Sequence, residues 1–402
     1  MRKYLNNKGF LFLLIIPFFN PTAFKYIPTL SKFYEVIQYW KLLDVLVIVL
    51  LYVYCCKFSK IITSIVFFEA VAIFTSIING VYVQAPFTNA LLAIGMSMLT
   101  EMAVKCNFEK FRKVYFTICF IAVLANFVLC LIYPAGLPMA TLYNNKSNPV
   151  YLLSIDNGMI KALIPLLAFG FYPNCKNAYK KKRVTNSLIL YLICCIIALC
   201  TLGIVASATG KLVGILFVIL SVLFLLFPYK RLPNKLILCL IAAFMVIIVI
   251  LGSSFDIIEK MMALLGRTGT FTGRTTLWRL AVQKILKRPL FGYGYTSGNI
   301  AIWGGYFSSH NMFLEIIIHG GLVLLFIFLY ILRIAFKILK SVATPYHNII
   351  SLAIVSYLIV GLMETGLNEF LFVLLVLAFN SAVTYPRREI IVSHKVNYNN
   401  AL

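Results

Sequence analysis

The sequence predicts an all-α, polytopic integral membrane protein of about 12 transmembrane helices, with one large extracytoplasmic loop between helices 9 and 10. Three observations predict it. Of 402 residues, 62% are hydrophobic and only 12% charged, and the mean hydropathy is +0.95; a soluble domain is roughly half apolar. Apolar runs approaching the ~20 residues that cross the hydrocarbon recur along the chain. Polar residues suited to chemistry gather instead in one stretch, 272–321.

The spans are read near 10–28, 42–56, 61–79, 86–104, 114–132, 158–172, 187–203, 210–228, 236–252, 311–332, 348–363 and 367–384. Lys and Arg collect in alternate connections: at Arg2, Lys3 and Lys8, at Lys57 and Lys60, and in the segments 105–113, 176–183, 230–235, 333–340 and 387–395. Positively charged short loops stay in the cytoplasm, so both termini are placed there. One segment breaks the trend, because Lys260, Arg267, Arg274, Arg279, Lys284, Lys287 and Arg288 fall in the outer loop. The first residues, basic and then apolar, imitate a signal peptide but lack a small-residue cleavage site before Phe24, and are read as a first span.

A formal net charge of +24 in a soluble protein would suggest nucleic acid. Here the charge is largely topological and faces anionic membrane lipids, so nucleic acid is not an expected partner. The ten cysteines lie in spans or cytoplasmic connections, which predicts neither disulfides nor a zinc site. No His, Cys, Asp and Glu cluster marks the outer loops, so neither metal nor cofactor is expected. Without repeats or low-complexity linkers, residues 1–402 read as a single membrane domain with an extracytoplasmic loop at 253–309.

Within that loop the pattern predicts an interfacial helix over about 275–288, with Leu277, Trp278, Ala281 and Ile285 on one side and Thr276, Arg279, Gln283 and Lys287 on the other. Pro289 ends it. The simplest reading is an anchor with Trp278 at headgroup level. Arg274 precedes the helix in Thr272-Gly273-Arg274-Thr275, where free backbone N–H groups and a guanidinium can converge on an anion. Arg267, in Gly266-Arg267-Thr268-Gly269, is a second candidate.

A flexible glycine-rich stretch follows, carrying Tyr293, Tyr295, Trp303 and Tyr306; it suits stacking on sugar rings and equally suits turns with interfacial aromatics. His310 stands where the loop re-enters the membrane, beside Ser308, Ser309 and Asn311. Glu315 is about one turn further along the same helix face. A neutral imidazole there can accept a proton. His319, His347 and His394 lack convergent neighbours in the sequence. Asp156, before the sixth span, is a substrate-binding candidate or a helix cap. Glu69, mid-span, is a suspect by its burial alone.

The segments TGRTTLW, RPLFGYG and HNMFLE followed by HGG resemble the signature of the bacterial O-antigen ligase and polymerase family, over roughly residues 200–330. The resemblance implies an inner-membrane glycosyltransferase acting on undecaprenyl-diphosphate-linked oligosaccharide. A flippase and a chain-length regulator are the implied protein partners. His310 matches the family's essential histidine and Arg274 its loop arginine. Where the family often has an arginine after a serine, this chain has Ser207 followed by Lys211, which keeps the charge but loses bidentate geometry.

The implied reaction uses His310 as base on the acceptor hydroxyl. Arg274, Lys211 and Arg267 neutralise the departing diphosphate, with inversion and without metal. Tyr293, Tyr295, Trp303, Asn311, Glu315 and Asp156 are the candidates for contacting sugar. A polymerase of a surface polysaccharide is favoured over ligase-type transfer of a finished glycan. A transporter is disfavoured because the two halves are unrelated.

Overall fold

The computed structural model describes residues 5–143, 149–155, 158–179, 185–205, 207–227, 232–251, 270–295, 300–302, 305–341, 345–365 and 367–381. Its helices are α1 (Lys8–Ile15), α2 (Pro28–Cys55), α3 (Lys60–Ile78), α4 (Gln84–Ile132), α5 (Pro138–Tyr143), α6 (Met159–Tyr179), α7 (Thr185–Ile204), α8 (Ala208–Leu226), α9 (Asn234–Leu251), α10 (Thr270–Lys287), α11 (Met312–Ser341), α12 (Pro345–Gly361) and α13 (Glu369–Phe379). Strands β1 (Ile300–Ile302) and β2 (Gly305–Phe307) form a short antiparallel hairpin.

Among the described residues, α2, α3, α4, α7, α8 and α11 are long and apolar enough to cross a membrane, and α1, α6, α9, α12 and α13 carry shorter apolar stretches. The chain is a multi-pass, all-α membrane protein. A count of twelve requires the shorter helices to cross as well, and is taken up as part of the proposal below.

Several boundaries differ from expectation for identifiable reasons. The first span was expected at 10–28, yet α1 ends at Ile15 and continues only as 3-10 turns at Ile16–Phe19 and Thr22–Lys25. Pro17, Pro21 and Pro28 each remove a backbone donor there. The second span was expected from residue 42, but its helix begins at Pro28, whose fixed φ suits a first helical position. The spans expected at 86–104 and 114–132 are both carried by α4, which breaks at Asn107 (φ −162°, ψ 90°). Asn107 Oδ1 accepts from Lys110 N at 3.1 Å and so caps the second half.

Lipid offers no hydrogen bonds, so buried polar side chains find partners inside the bundle. Ser97 and Thr100 donate to the carbonyls four residues back, each at 2.7 Å. The fully buried Glu101 accepts from Tyr52 and Ser59, both at 2.8 Å, and pairs with Lys105 at 2.6 Å.

The feature that organises the region around Arg274 and His310 is a break in α11 at Gly320 (φ −132°, ψ 15°) and Gly321 (φ 67°, ψ −167°). The break leaves backbone groups of α11 without intrahelical partners, and residues 289–294 satisfy them. Tyr293 N donates to Ile318 O at 2.7 Å and Gly294 N to His319 O at 2.9 Å, while Leu322 N donates to Pro289 O at 2.7 Å and Val323 N to Leu290 O at 3.3 Å. The glycines permit this close approach. A Cβ on Gly292 (φ +62°) would lie 2.4 Å from Ile318 O, and one on Gly321 1.9 Å from Leu290 O. The start of the stretch read as flexible, through Gly294, is therefore a fitted backbone plug.

The plug fixes where α10 lies. That helix begins at Thr270 rather than near 275, so Arg274 is inside it and not before it. Its expected apolar face holds: Leu277, Trp278 and Ala281 are buried and cluster with Ile300, Leu314 and Ile318, while Arg279, Gln283 and Lys287 are exposed. Trp278, at 1% exposure, packs edge-on against Phe244 and does not reach the headgroups. The helix is held by protein, and this packing outweighs the poor helix propensity of Gly273.

Gly321→Ala and Gly292→Ala are each expected to lower stability by about 1–3 kcal/mol, the usual cost of forcing a side chain into such a conformation. Gly203→Ala, with open space around its Cβ, should change little. Thermal unfolding in detergent checks this; equal stability of all three variants would refute the plug.

Candidate functional site

The turn Leu362–Thr365, joining α12 to α13, is the hub of the site. It follows from Gly361, whose missing side chain lets α12 approach α11: a Cβ there would sit 2.8 Å from Met312 Cε. Three carbonyls of the turn then take donors from three other elements. Asn311 Nδ2 donates to Leu362 O at 3.0 Å, Arg274 Nη1 to Met363 O at 2.7 Å, and Lys161 Nζ to Thr365 O.

The turn also supplies Glu364, a carboxylate the sequence reading overlooked. Its Oε1 pairs with Arg274 Nη2 at 2.8 Å, and its Oε2 faces His310 Nδ1 at 3.7 Å. The second distance is too long for a hydrogen bond. Glu364 has 11% of its side chain exposed, against 37% for His310, so the imidazole is the member most open to an incoming molecule. Arg274 uses two of its five N–H donors on the turn, which leaves donors for an anion.

His310 adopts φ +48°, the left-handed region that non-glycine residues rarely occupy. Two neighbours hold it. Asn311 caps α11, its Oδ1 accepting from Phe313 N at 3.0 Å and Leu314 N at 3.1 Å. Glu315 accepts from Ser309 N at 3.0 Å and from Ser309 Oγ at 2.7 Å, clamping the residue before the histidine. Backbone strain of this kind persists where surrounding contacts over-determine it.

Glu315 therefore does not partner His310, as its spacing suggested; its other oxygen pairs with His319 Nε2 at 3.3 Å. The expectation that His319 lacks convergent neighbours is likewise corrected, for its ring also lies 4.6 Å from that of Tyr295. Asn311 is fully buried, with its amide engaged in capping and in the turn.

The two described candidate tyrosines also have protein partners. Tyr293 donates to Lys284 O at 3.0 Å and lies under Lys284 and Arg288, at 4.5 and 5.0 Å. Burial lowers the pKa of Lys284, partly offset by Glu315. Tyr295 accepts from Asn89 Nδ2 at 3.2 Å, and burial raises its phenol above the usual 10.0. It roofs a cavity of about 270 Å³ whose lining includes Glu69, Asn89, His319, Asn368 and Glu369. Tyr306, on β2, is exposed and open to stacking.

Lys211 lies in the first turn of α8, where Ser207 Oγ accepts from Gly210 N at 3.1 Å. One turn further, a Cβ on Gly214 would contact Ile160 of α6 at 3.9 Å, which puts Lys211 at the same end of the bundle as Lys161. Among the described residues no hydrogen bond or ion pair joins it to Arg274, His310 or Glu364. Arg267, Trp303 and Asp156 lie outside the described residues.

Glu364 and Lys161 left a faint signal in the sequence. Only 12 Asp and Glu occur in 402 residues, so an acid or lysine at the edge of an apolar span is a suspect by rarity. What the sequence lacked was any sign that residues 161, 274, 310 and 364 converge.

The family model described as O-Antigen ligase matches residues 189–329. The resemblance to the O-antigen ligase and polymerase family is thereby shown, over a segment close to the one its motifs mark. Arg274, His310 and Lys211 fall inside the matched segment, whereas Glu364 and Lys161 fall outside it. A comparison with curated proteins gave no match.

If Glu364 ties α10 to the hub, Arg274→Ala and Glu364→Ala will be non-additive in thermal stability, with a coupling of about 0.5–3 kcal/mol. Strict additivity in the double variant would mean the ion pair carries no structural load.

Proposed function

We propose that this protein is a membrane glycosyltransferase that moves sugar from a lipid diphosphate carrier onto an acceptor hydroxyl at the outer face of the bacterial cytoplasmic membrane. In this reading the twelve apolar stretches all cross, both termini are cytoplasmic, and residues 253–309 lie outside. The observation that carries it is the grouping of Arg274, Glu364 and His310 on one solvent-reachable hub, within or next to a segment matching the O-antigen ligase family.

Each side chain has a chemical part. Glycosyl transfer requires the acceptor oxygen to lose a proton as it attacks the anomeric carbon, while the diphosphate departs with negative charge. His310 takes that proton. Glu364, facing Nδ1, orients the ring and stabilises the cation formed, and a modest closure on substrate binding shortens the 3.7 Å gap. Arg274 offers its remaining donors to the diphosphate, aided by Lys211, Arg267 and Lys161. A diphosphate leaves without protonation, so no second acid is required. One displacement of this kind inverts the anomeric centre.

The donor is read as undecaprenyl-diphosphate-linked oligosaccharide, supplied across the membrane by a flippase. Transfer onto another repeat unit makes the protein a polymerase of a surface polysaccharide, the reading we favour, and a chain-length regulator is then its partner. Transfer of a finished glycan to a different acceptor makes it a ligase, which the matching family's description favours. The shared hub serves either.

Purified protein incubated with undecaprenyl-diphosphate-linked oligosaccharide should give a product ladder under the polymerase reading, or transfer only to an added acceptor under the ligase reading. His310→Ala should reduce the rate by ~10²–10⁴, the range of general-base catalysis. Glu364→Gln should lower it less. Full activity in His310→Ala would exclude the mechanism, and retained anomeric configuration would exclude single displacement.

A further inference from the structure

A large cavity opens elsewhere among the described residues. It is a groove of about 1140 Å³ between α9, α11 and α12, running from Phe313 and Met245 near the outer side to Lys235, Arg333, Lys337 and Lys340 at the other end. Its walls along the membrane are apolar, with Leu238, Ile241, Leu325 and Leu358 among them. Leu236, Val246 and Leu329 beside it are exposed, so the groove lies open to lipid.

Its basic mouth has a defined construction. Arg333, Lys337 and Lys340 recur at helical spacing on one face of α11, and all three are exposed. Lys235 opposes them from the first turn of α9. Two hydrogen bonds fix the distance between α9 and α12 at this end: Leu232 N donates to Asn348 Oδ1 at 3.3 Å and Asn234 Nδ2 to Ser351 Oγ at 3.1 Å. Among the described residues no carboxylate lines the groove. None is near in sequence either, since no Asp or Glu occurs in 157–255 or 316–363. The positive-inside rule explains cations on this face, but not their convergence on the mouth of an apolar groove.

We propose that this groove is a binding site for an anionic glycerophospholipid of the inner leaflet. Its phosphate is held by Lys235, Arg333 and Lys337, and its acyl chains lie along Leu238, Ile241 and Leu325. The charge complementarity commits the head to the basic mouth, because the described residues at the other end of the groove, Phe313, Ile317, Met245, Val246 and Leu358, are apolar. A basic pocket between transmembrane helices on the cytoplasmic side is a recurrent way to hold a lipid phosphate. The bound lipid would brace α9 and α12 against α11, the helix that carries His310 at its other end. The proposal does not depend on the reaction assigned above.

The test uses the full chain in detergent, with phosphatidylglycerol, phosphatidylcholine or undecaprenyl phosphate added, and reads bound lipid by native mass spectrometry. Phosphatidylglycerol should be retained over phosphatidylcholine. The triple variant Lys235→Gln, Arg333→Gln, Lys337→Gln should weaken its retention on the order of 100-fold, as expected for three cations near a lipid phosphate. Ala242→Trp, which fills the groove, should abolish retention with the charges intact. Lys57→Gln, Lys60→Gln and Lys113→Gln, basic residues elsewhere on the same face, should leave it unchanged. Equal loss in that control set would overturn the site in favour of diffuse attraction. Preferential retention of undecaprenyl phosphate, insensitive to the triple variant, would overturn the assigned occupant.

Discussion

The half of this protein that holds Arg274 and His310 depends on unsatisfied backbone at one place. A transmembrane helix that breaks within lipid exposes amide groups that water cannot reach, each costing several kcal/mol if left unpaired. The break at Gly320 and Gly321 is tolerated because residues 289–294 supply two donors and two acceptors to it. From that junction the chain runs back into α10, whose Leu277, Trp278 and Ala281 pack on α11, and Arg274 follows as a matter of helix geometry. The motifs RPLFGYG and HGG, distant in sequence, are the two halves of one joint.

Two carboxylates then divide the work around His310. Glu315 stands one turn along α11 and spends its oxygens on Ser309 and His319, which maintains the strained turn. Glu364 comes from another helix pair and meets the imidazole and the guanidinium together. The division has an electrostatic reason. A lone guanidinium beside a lone histidine would repel the proton that a base must accept, whereas a carboxylate between them offsets the positive charge.

Sequence pattern revealed what depends on composition and on local period. The apolar stretches, the amphipathic face of α10 and the polar concentration in one loop were legible because lipid and helix geometry impose them directly. Boundaries failed where proline intervened, as where α1 stops short near Pro17, and where α10 begins at Thr270, about a turn before the amphipathic pattern that marked its start. The aromatic residues suited sugar stacking and turn or interface packing equally in sequence, and the structure gives two of them protein partners. Tyr293 and Tyr295 look available in sequence, but cations cover one and His319 lies against the other.

The convergence of Glu364 and Lys161 on the hub was illegible for a different reason. Their partners stand 90 and 204 residues away in the chain, and a contact between side chains on separate helices has no period to read. Their position after the family-matched segment, or before it, also bears on how the protein works. Residues 189–329 carry the histidine and the arginine, but the turn that sets their spacing comes from residues 362–365. The side chains of the candidate site and the turn that positions them are thus drawn from different parts of the chain. Changes in α12, α13 or the turn between them can alter the geometry of the site without touching Arg274 or His310, and a protein sharing only the matched segment need not share that geometry.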